Sequence, residues 1–85
     1  MDTLEAFDAA ARLGSFTAAA AALHLTPGAI SRQMAALEDN IGVALFVRGA
    51  RGVELTPPGR RLHAAAAEAL ALLLGAAHEL RRGDG

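Results

Sequence analysis

The stretch Thr26-Pro-Gly-Ala-Ile-Ser-Arg-Gln-Met-Ala-Ala-Leu-Glu38 constrains this chain more than any other. It reads as a helix with a deliberate start. Thr26 has the side chain of an N-cap, whose hydroxyl accepts from a backbone N–H one turn in. Pro27 falls at the first helical position, where its missing N–H costs nothing. Ile30, Met34, Leu37 and Ile41 then recur at helical spacing as one apolar stripe. At about 100° per residue, Gly28, Arg32, Ala35 and Asp39 point the opposite way, with Ala29 and Ser31 at the flanks. The exposed N-terminal end is therefore small residues around a single Arg. Such a helix can press its backbone against something flat and anionic. The major groove of B-DNA admits one helix, and Arg is the commonest reader of guanine there. Taken alone, the segment also reads as an ordinary capped surface helix.

The flanking residues narrow the choice. Phe16 to Ala35 can be laid against the twenty-position helix-turn-helix pattern. That pattern wants a small fifth residue, apolar residues at the eighth, tenth and fifteenth, and tolerance of positive φ at the ninth. Here these are Ala20, Leu23, Leu25, Ile30 and His24. The ninth is usually Gly, and His is among the other residues enriched in the left-handed region. His24 has no second His one helical turn away, and the chain has no Cys, so a metal site is not expected there. Upstream, residues 2–13 are expected to form a first helix, with Asp2 and Glu5 at capping-box spacing and Gly14 as its stop. Leu4, Phe7 and Ala11 make its apolar stripe. Ser15 or Thr17 caps the next helix, which runs to about Leu23 and sends Phe16 and Leu23 into the core. The alanines from 18 to 22 let a neighbouring helix come close.

After Asn40 and Gly42, two short β-type runs follow, Val43 to Val47 and Val53 to Thr56. Between them lies Arg48-Gly-Ala-Arg-Gly52, a loop longer than the tightest hairpin kind. A hairpin after a helix-turn-helix is a wing. Its tip carries Arg51 between small residues, able to enter a narrow groove of enhanced negative potential. The alternative is a solvated hairpin with one charge at its tip. Thr56-Pro-Pro-Gly59 opens a last helix to about Arg82. Leu62, Ala66, Ala69, Leu73, Ala76 and Leu80 form a heptad seam, with Leu70, Leu74 and Ala77 beside it. At 1.5 Å per residue this helix is about 39 Å long, too long for a small domain to cover alone. A partner helix is expected. A membrane-surface helix competes, but basic residues are few until Arg81. His63 and His78 read as surface or edge residues, and Gly83-Asp-Gly85 as a linker or truncation point.

Eighty-five residues make one domain at most. The net charge of −1 argues against a nucleic-acid partner only as a total. Asp2, Glu5 and Asp8 outweigh Arg12 at the start. Arg32, Arg48, Arg51, Arg60 and Arg61 outweigh Glu38, Asp39 and Glu54 in the segment that holds the groove-like helix. Dimerisation would double that patch. All eight basic residues are Arg, which reads as base composition before function. Without Cys, neither disulfides nor thiolate metal sites are available, which fits a reducing compartment. No secretory signal is visible, and no apolar run is longer than Ala69 to Leu74, which is too short to span a bilayer. Three scattered His and no acid–base motif make an enzyme the weakest reading. No cofactor is expected, and the expected location is cytoplasmic, at the nucleoid.

Gly14-Ser-Phe-Thr-Ala-Ala-Ala20, Leu25-Thr-Pro-Gly-Ala-Ile-Ser-Arg-Gln33, Leu37-Glu38, Gly42, Leu45-Phe46, Arg48, Arg51 and Leu55-Thr-Pro57 together resemble the N-terminal domain of LysR-type transcriptional regulators. The resemblance covers nearly the whole chain. Its Thr-Pro-Gly-Ala form looks like the branch containing the glycine-cleavage activator. The implied fold is mainly α: a winged helix-turn-helix over residues 1–58, a linker and dimerisation helix over 59–82 and a tail over 83–85. The implied function is sequence-specific binding of double-stranded DNA by a homodimer that regulates transcription. In the family, positions matching Pro27, Gly28, Ala29, Ser31 and Arg32 face the major groove. That matching Arg51 enters the minor groove, and that matching Thr17 sits near phosphate. Thr26, Gln33 and Arg48 complete the expected DNA-contacting set. At Pro27 many members carry Gln, which can hydrogen-bond a base edge where Pro cannot.

The resemblance further implies antiparallel linker helices and an interrupted inverted repeat as the DNA site. Leu62, Ala66, Ala69, Leu70, Leu73, Ala76, Ala77 and Leu80 are the expected dimer contacts. Family members carry an effector-binding domain after the linker helix. Its absence here implies a cut-out domain or a naturally shortened chain, with a small-molecule effector only if such a domain exists. The competing function is a small helical interaction protein without DNA binding, favoured by the slightly acidic charge.

Overall fold

The computed structural model describes residues 2–83, and the backbone only at Asp2. The expected capping box through Asp2 and the tail residues Asp84 and Gly85 lie outside the described residues. Six elements follow in order: α1 (Asp2–Leu13), α2 (Phe16–Ala22), α3 (Pro27–Ile41), β1 (Phe46–Gly49), β2 (Gly52–Leu55) and α4 (Pro57–Arg82).

Each helix start after the first is capped in the way its sequence suggests. Ser15, not Thr17, caps α2, its Oγ accepting from Ala18 N–H at 3.0 Å. Thr26 Oγ1 accepts from Ala29 N–H at 3.1 Å, with Pro27 opening α3. Thr56 Oγ1 accepts from Gly59 N–H at 3.0 Å and donates to the Ala44 carbonyl at 2.6 Å. One hydroxyl thus caps α4 and ties it to the segment before the wing. Between α2 and α3, His24 takes a φ of 58°, the only positive value at a described non-glycine residue. The chain turns there so that α3 crosses α1 and α2.

The core is small and drawn from all four helices and the residue before β1. Ala6 and Phe7 of α1, Ala20 of α2, Ile30 and Met34 of α3, Leu45, and Ala66 of α4 form one buried cluster. Leu4, Phe16, Leu23, Leu37, Phe46, Leu55 and Leu62 pack against it. Ala9, Ala10 and Ala19 form a second cluster where α1 and α2 approach closely. Phe46 meets Phe7 and Phe16 edge-to-face, with ring centroids 5.6 and 5.2 Å apart, so the base of the hairpin is packed into both clusters. Ile41, last of the α3 stripe, stays exposed.

The hairpin differs from its expected form at both ends. β1 begins at Phe46, not Val43, because the preceding backbone groups are committed elsewhere. Glu38 Oε2 accepts from Leu45 N–H at 2.7 Å and from Phe46 N–H at 3.1 Å. The pairing runs from Phe46 opposite Leu55 to Gly49 opposite Gly52. Only Ala50 and Arg51 remain in the turn, which is therefore tighter than the sequence suggests. Gly52, at φ 130°, absorbs the twist and lies against the α1–α2 turn. A Cβ there would run into the Gly14 carbonyl oxygen. The same carbonyl accepts from Val53 N–H at 3.0 Å.

α4 departs from the domain after its first turns and stretches the molecule to 46 Å, against 25 and 21 Å across. Its beginning is pressed close, since a Cβ on Gly59 would meet the Leu45 carbonyl oxygen. Two expected dimer contacts are affected. Ala66 is buried inside the protomer and Leu62 packs against the same core, because these turns of α4 cover α1. The seam open to a second chain therefore begins further along, where Leu72, Leu73, Leu74 and Leu80 are exposed. No helix among the described residues is long and apolar enough to cross a membrane.

Candidate nucleic-acid interface

The N-terminal end of α3 stands free of the body. Thr26, Pro27, Gly28 and Arg32 are exposed, while Ala29 and Ser31 are half-buried at the flanks. The Thr26 hydroxyl and carbonyl accept from the Ala29 and Ile30 N–H groups and Pro27 has none, so Gly28 N–H is the first-turn donor left open at a helix end favourable to anions. The guanidinium of Arg32 reaches back over Gly28, its Nη1 3.5 Å from where a Cβ on that glycine would lie. A Cβ at position 28 would be in ordinary contact with Arg32, and a side chain reaching beyond it would compete for this space. Thr17 lies exposed on the second position of α2.

The wing brings two arginines. Arg51 occupies the two-residue tip and is exposed. Arg48 lies on β1 and turns back to the domain. Its Nη2 donates to Ser31 Oγ at 2.8 Å. Its guanidinium carbon lies 4.9 Å from the centroid of the Phe16 ring, within cation–π range. Two residues expected to contact DNA thus contact each other.

Gln33 does not join the exposed set. Its side chain turns into a crevice lined by Glu5, Leu23 and Leu25. Its Oε1 is closed off from solvent and accepts no hydrogen bond among the described residues. The reason is angular: Gln33 lies about 60° from Ile30 around the helix and follows it toward α1. Glu38 and Gly52 hold the wing in place and Gly59 lets α4 press on Leu45. No local sequence signal marks these roles, beyond a faint trace at Glu38, an acidic residue on the inner half of an amphipathic helix.

Three helices with a capped, crossing α3, followed by a tight two-stranded hairpin, define a winged helix-turn-helix protein. The model of bacterial regulatory helix-turn-helix proteins of the lysR family matches residues 1–60, and the chain belongs to that family. It is 52% identical over 82 residues to the HTH-type transcriptional regulator TrpI of Pseudomonas aeruginosa, covering 96% of this chain and 28% of that protein. It is 40% identical over 83 residues to the carbapenem-hydrolyzing beta-lactamase transcriptional activator of Enterobacter cloacae, covering 98% and 28%. The chain thus spans about a quarter of these curated relatives, and they do not single out the glycine-cleavage branch. Among solved structures, the DNA-binding domain of CbnR in complex with DNA superposes with a TM-score of 0.86 at 37% identity, over 99% of this chain and 97% of that one. The BenM DNA-binding domain with catB site 1 DNA gives 0.91 at 31% identity, over 99% and 94%.

Proposed function

We propose that this chain binds double-stranded DNA as a homodimer and regulates transcription, with an interrupted inverted repeat as its site. The single observation that carries the reading is the exposed, nearly bare N-terminal end of α3 with Arg32 folded over Gly28. Few side chains hold the backbone off a groove floor, and the one cation is placed to reach a base edge or phosphate. Two solved relatives of closely similar shape were crystallised with DNA, which supports the same use here.

In this reading Pro27, Gly28, Ala29 and Arg32 enter the major groove. Thr17 and the capped end at Thr26 lie against phosphates, and Arg51 reaches the adjacent minor groove. Pro27 offers no hydrogen bond, so it contributes shape and apolar contact. The dimer forms through the free part of α4, with Ala69, Leu70, Leu73, Ala76, Ala77 and Leu80 as contacts and Leu72 added to them. The place of action is the cytoplasm, at the nucleoid. The test is a binding screen of the purified chain against random duplexes, with its mass in solution measured alongside. Recovery of a two-fold symmetric site by a dimeric species is the expected result. Failure to retain any duplex at low salt would overturn the reading, since phosphate binding alone should survive there.

A further inference from the structure

We infer that Arg48 acts as a positioning residue that fastens the wing to α3, so that Arg51 and Arg32 enter two adjacent grooves at a fixed separation. This role rests on the DNA-binding reading above. Strand parity supplies the first argument. Side chains two apart on a strand share a face. Arg48 therefore shares the face of Phe46, which packs into the core, and stands opposite Val53, which is buried. It lies on the side of the hairpin that faces the helices, opposite to Val47, although both side chains remain exposed to solvent.

The contacts supply the second argument. From β1, Arg48 reaches Ser31 on α3 at 2.8 Å and the Phe16 ring on α2 at 4.9 Å. Phe16 is itself braced by Phe46, with centroids 5.2 Å apart. One guanidinium thus spans the wing, the recognition helix and the helix before it. The base of the wing is already fixed through Gly14, Glu38 and Thr56. Arg48 adds a tie nearer the tip, two positions from the turn. A further consequence falls on Ser31. With one lone pair taken by a cation, its hydroxyl hydrogen turns away from the guanidinium. Ser31 then meets DNA as a donor, to a phosphate oxygen or a base acceptor.

The test combines two measurements on wild type, Arg48→Ala, Arg48→Lys and Ser31→Ala. The first is a double-mutant cycle of unfolding in the free protein with Arg48→Ala and Ser31→Ala. The expected result is a double variant no less stable than the worse single variant. Fully additive losses would overturn the tie whatever happens with DNA. The second is hydroxyl-radical footprinting on the duplex recovered by the screen, which reports the sugars lining the minor groove. Wild type is expected to protect both the half-site and its flank. At saturating protein, Arg48→Ala and Arg48→Lys are expected to keep the half-site footprint and lose the flank, with affinity reduced roughly tenfold, the scale of one charge-assisted hydrogen bond. A plain phosphate contact would give a different pattern. Arg48→Ala would then keep the flank footprint and lower the salt slope by about 0.9, and Arg48→Lys would restore it. That pattern overturns the role, as does a wild type that leaves the flank unprotected. A wild type that binds no duplex would remove the DNA reading and the role together.

Discussion

His63 Nε2 and Asp8 Oδ1 meet at 2.9 Å although 55 positions separate them in the chain. The contact joins α4 to α1 one turn before Ala66, the last buried residue of α4. The second Asp8 oxygen accepts from Arg12 Nε at 2.9 Å, and the His63 ring stands edge-on to Phe7, centroids 6.0 Å apart. The orientation of α4 on the helix-turn-helix body is therefore set partly by a carboxylate. In a dimer joined through α4, that orientation also sets how far apart the two copies of α3 lie.

The carboxylate makes stability depend on pH. Burial raises the pKa of Asp8, but the hydrogen bonds and positive charge from Arg12 and His63 outweigh it, and the net shift is downward. A depressed folded pKa contributes stability above the unfolded value, near 3.9, and loses it as pH falls through the folded value. Asp8→Asn removes that titration. Denaturant unfolding of both proteins from about pH 6 to about pH 2 should show wild type losing more stability than the variant as acid is added. Parallel curves would contradict the role given to Asp8.

Two glycines in α4 should respond to alanine with opposite signs. Helix propensity favours Ala over Gly by about 0.8–1.0 kcal/mol. At Gly75 a Cβ meets nothing within 4 Å, so Gly75→Ala should stabilise by about that amount. At Gly59 a Cβ meets the Leu45 backbone and the Leu55 side chain. The backbone cannot step aside as a side chain could and overpacking costs about 1–3 kcal/mol, so Gly59→Ala should be a net loss. Chemical denaturation decides both, and equal gains at the two sites would mean that α4 does not press on Leu45.

Leu73 is 47% exposed in the protomer, beside Leu72 at 70% and Leu80 at 69%. Burying one leucine contributes about 1.5–3 kcal/mol, so a contact over several of them can hold a dimer. Leu73→Glu places a charge there, which a solvated monomer tolerates and an apolar contact does not. Light scattering should report the monomer mass with an unchanged circular dichroism spectrum. A retained dimer mass would place the interface elsewhere.

Arg51 at the wing tip should favour A·T-rich flanks, where the minor groove is narrow and most negative. Arg51→Ala should weaken binding more on a duplex with A·T-rich flanks than on one with G·C-rich flanks. Lys at this position should recover only part of the loss, since its ammonium holds water more tightly. Equal losses on both duplexes would make Arg51 a phosphate contact without preference.

Local signals were legible in the sequence, and pairings over distance were not. Thr26 and Thr56 advertised their caps through the proline that follows each. His24 fell at the one pattern position that needs a positive φ, and it has one. Ala66 and Leu73 sit on the same heptad seam, yet one is covered by the protomer itself and the other is bare. Periodicity marks a face and does not say which body covers it. The turn looked five residues long because the register of Arg48 with Val53 depends on a strand pairing that composition does not encode. Arg48 and Ser31 each looked like a DNA contact, since nothing local reveals that a side chain seventeen positions away fills the hydrogen bond. Leu72 lies off the heptad seam, so periodicity does not mark it, although it is more exposed than Leu73.

In the proposed reading α3 reads the half-site through Arg32, while Arg51 senses groove shape at the flank and Thr17 and Thr26 hold phosphates. The most direct measurement is the affinity of wild type and Arg32→Ala for the selected duplex and for a scrambled one, each across a series of salt concentrations. Wild type should prefer the selected duplex by about 10³ or more. Arg32→Ala should lose about 1–3 kcal/mol on the selected duplex and far less on the scrambled one, with its fold intact by circular dichroism. An equal loss on both duplexes would make Arg32 a phosphate contact, and no difference between the duplexes for wild type would contradict sequence reading by α3 altogether.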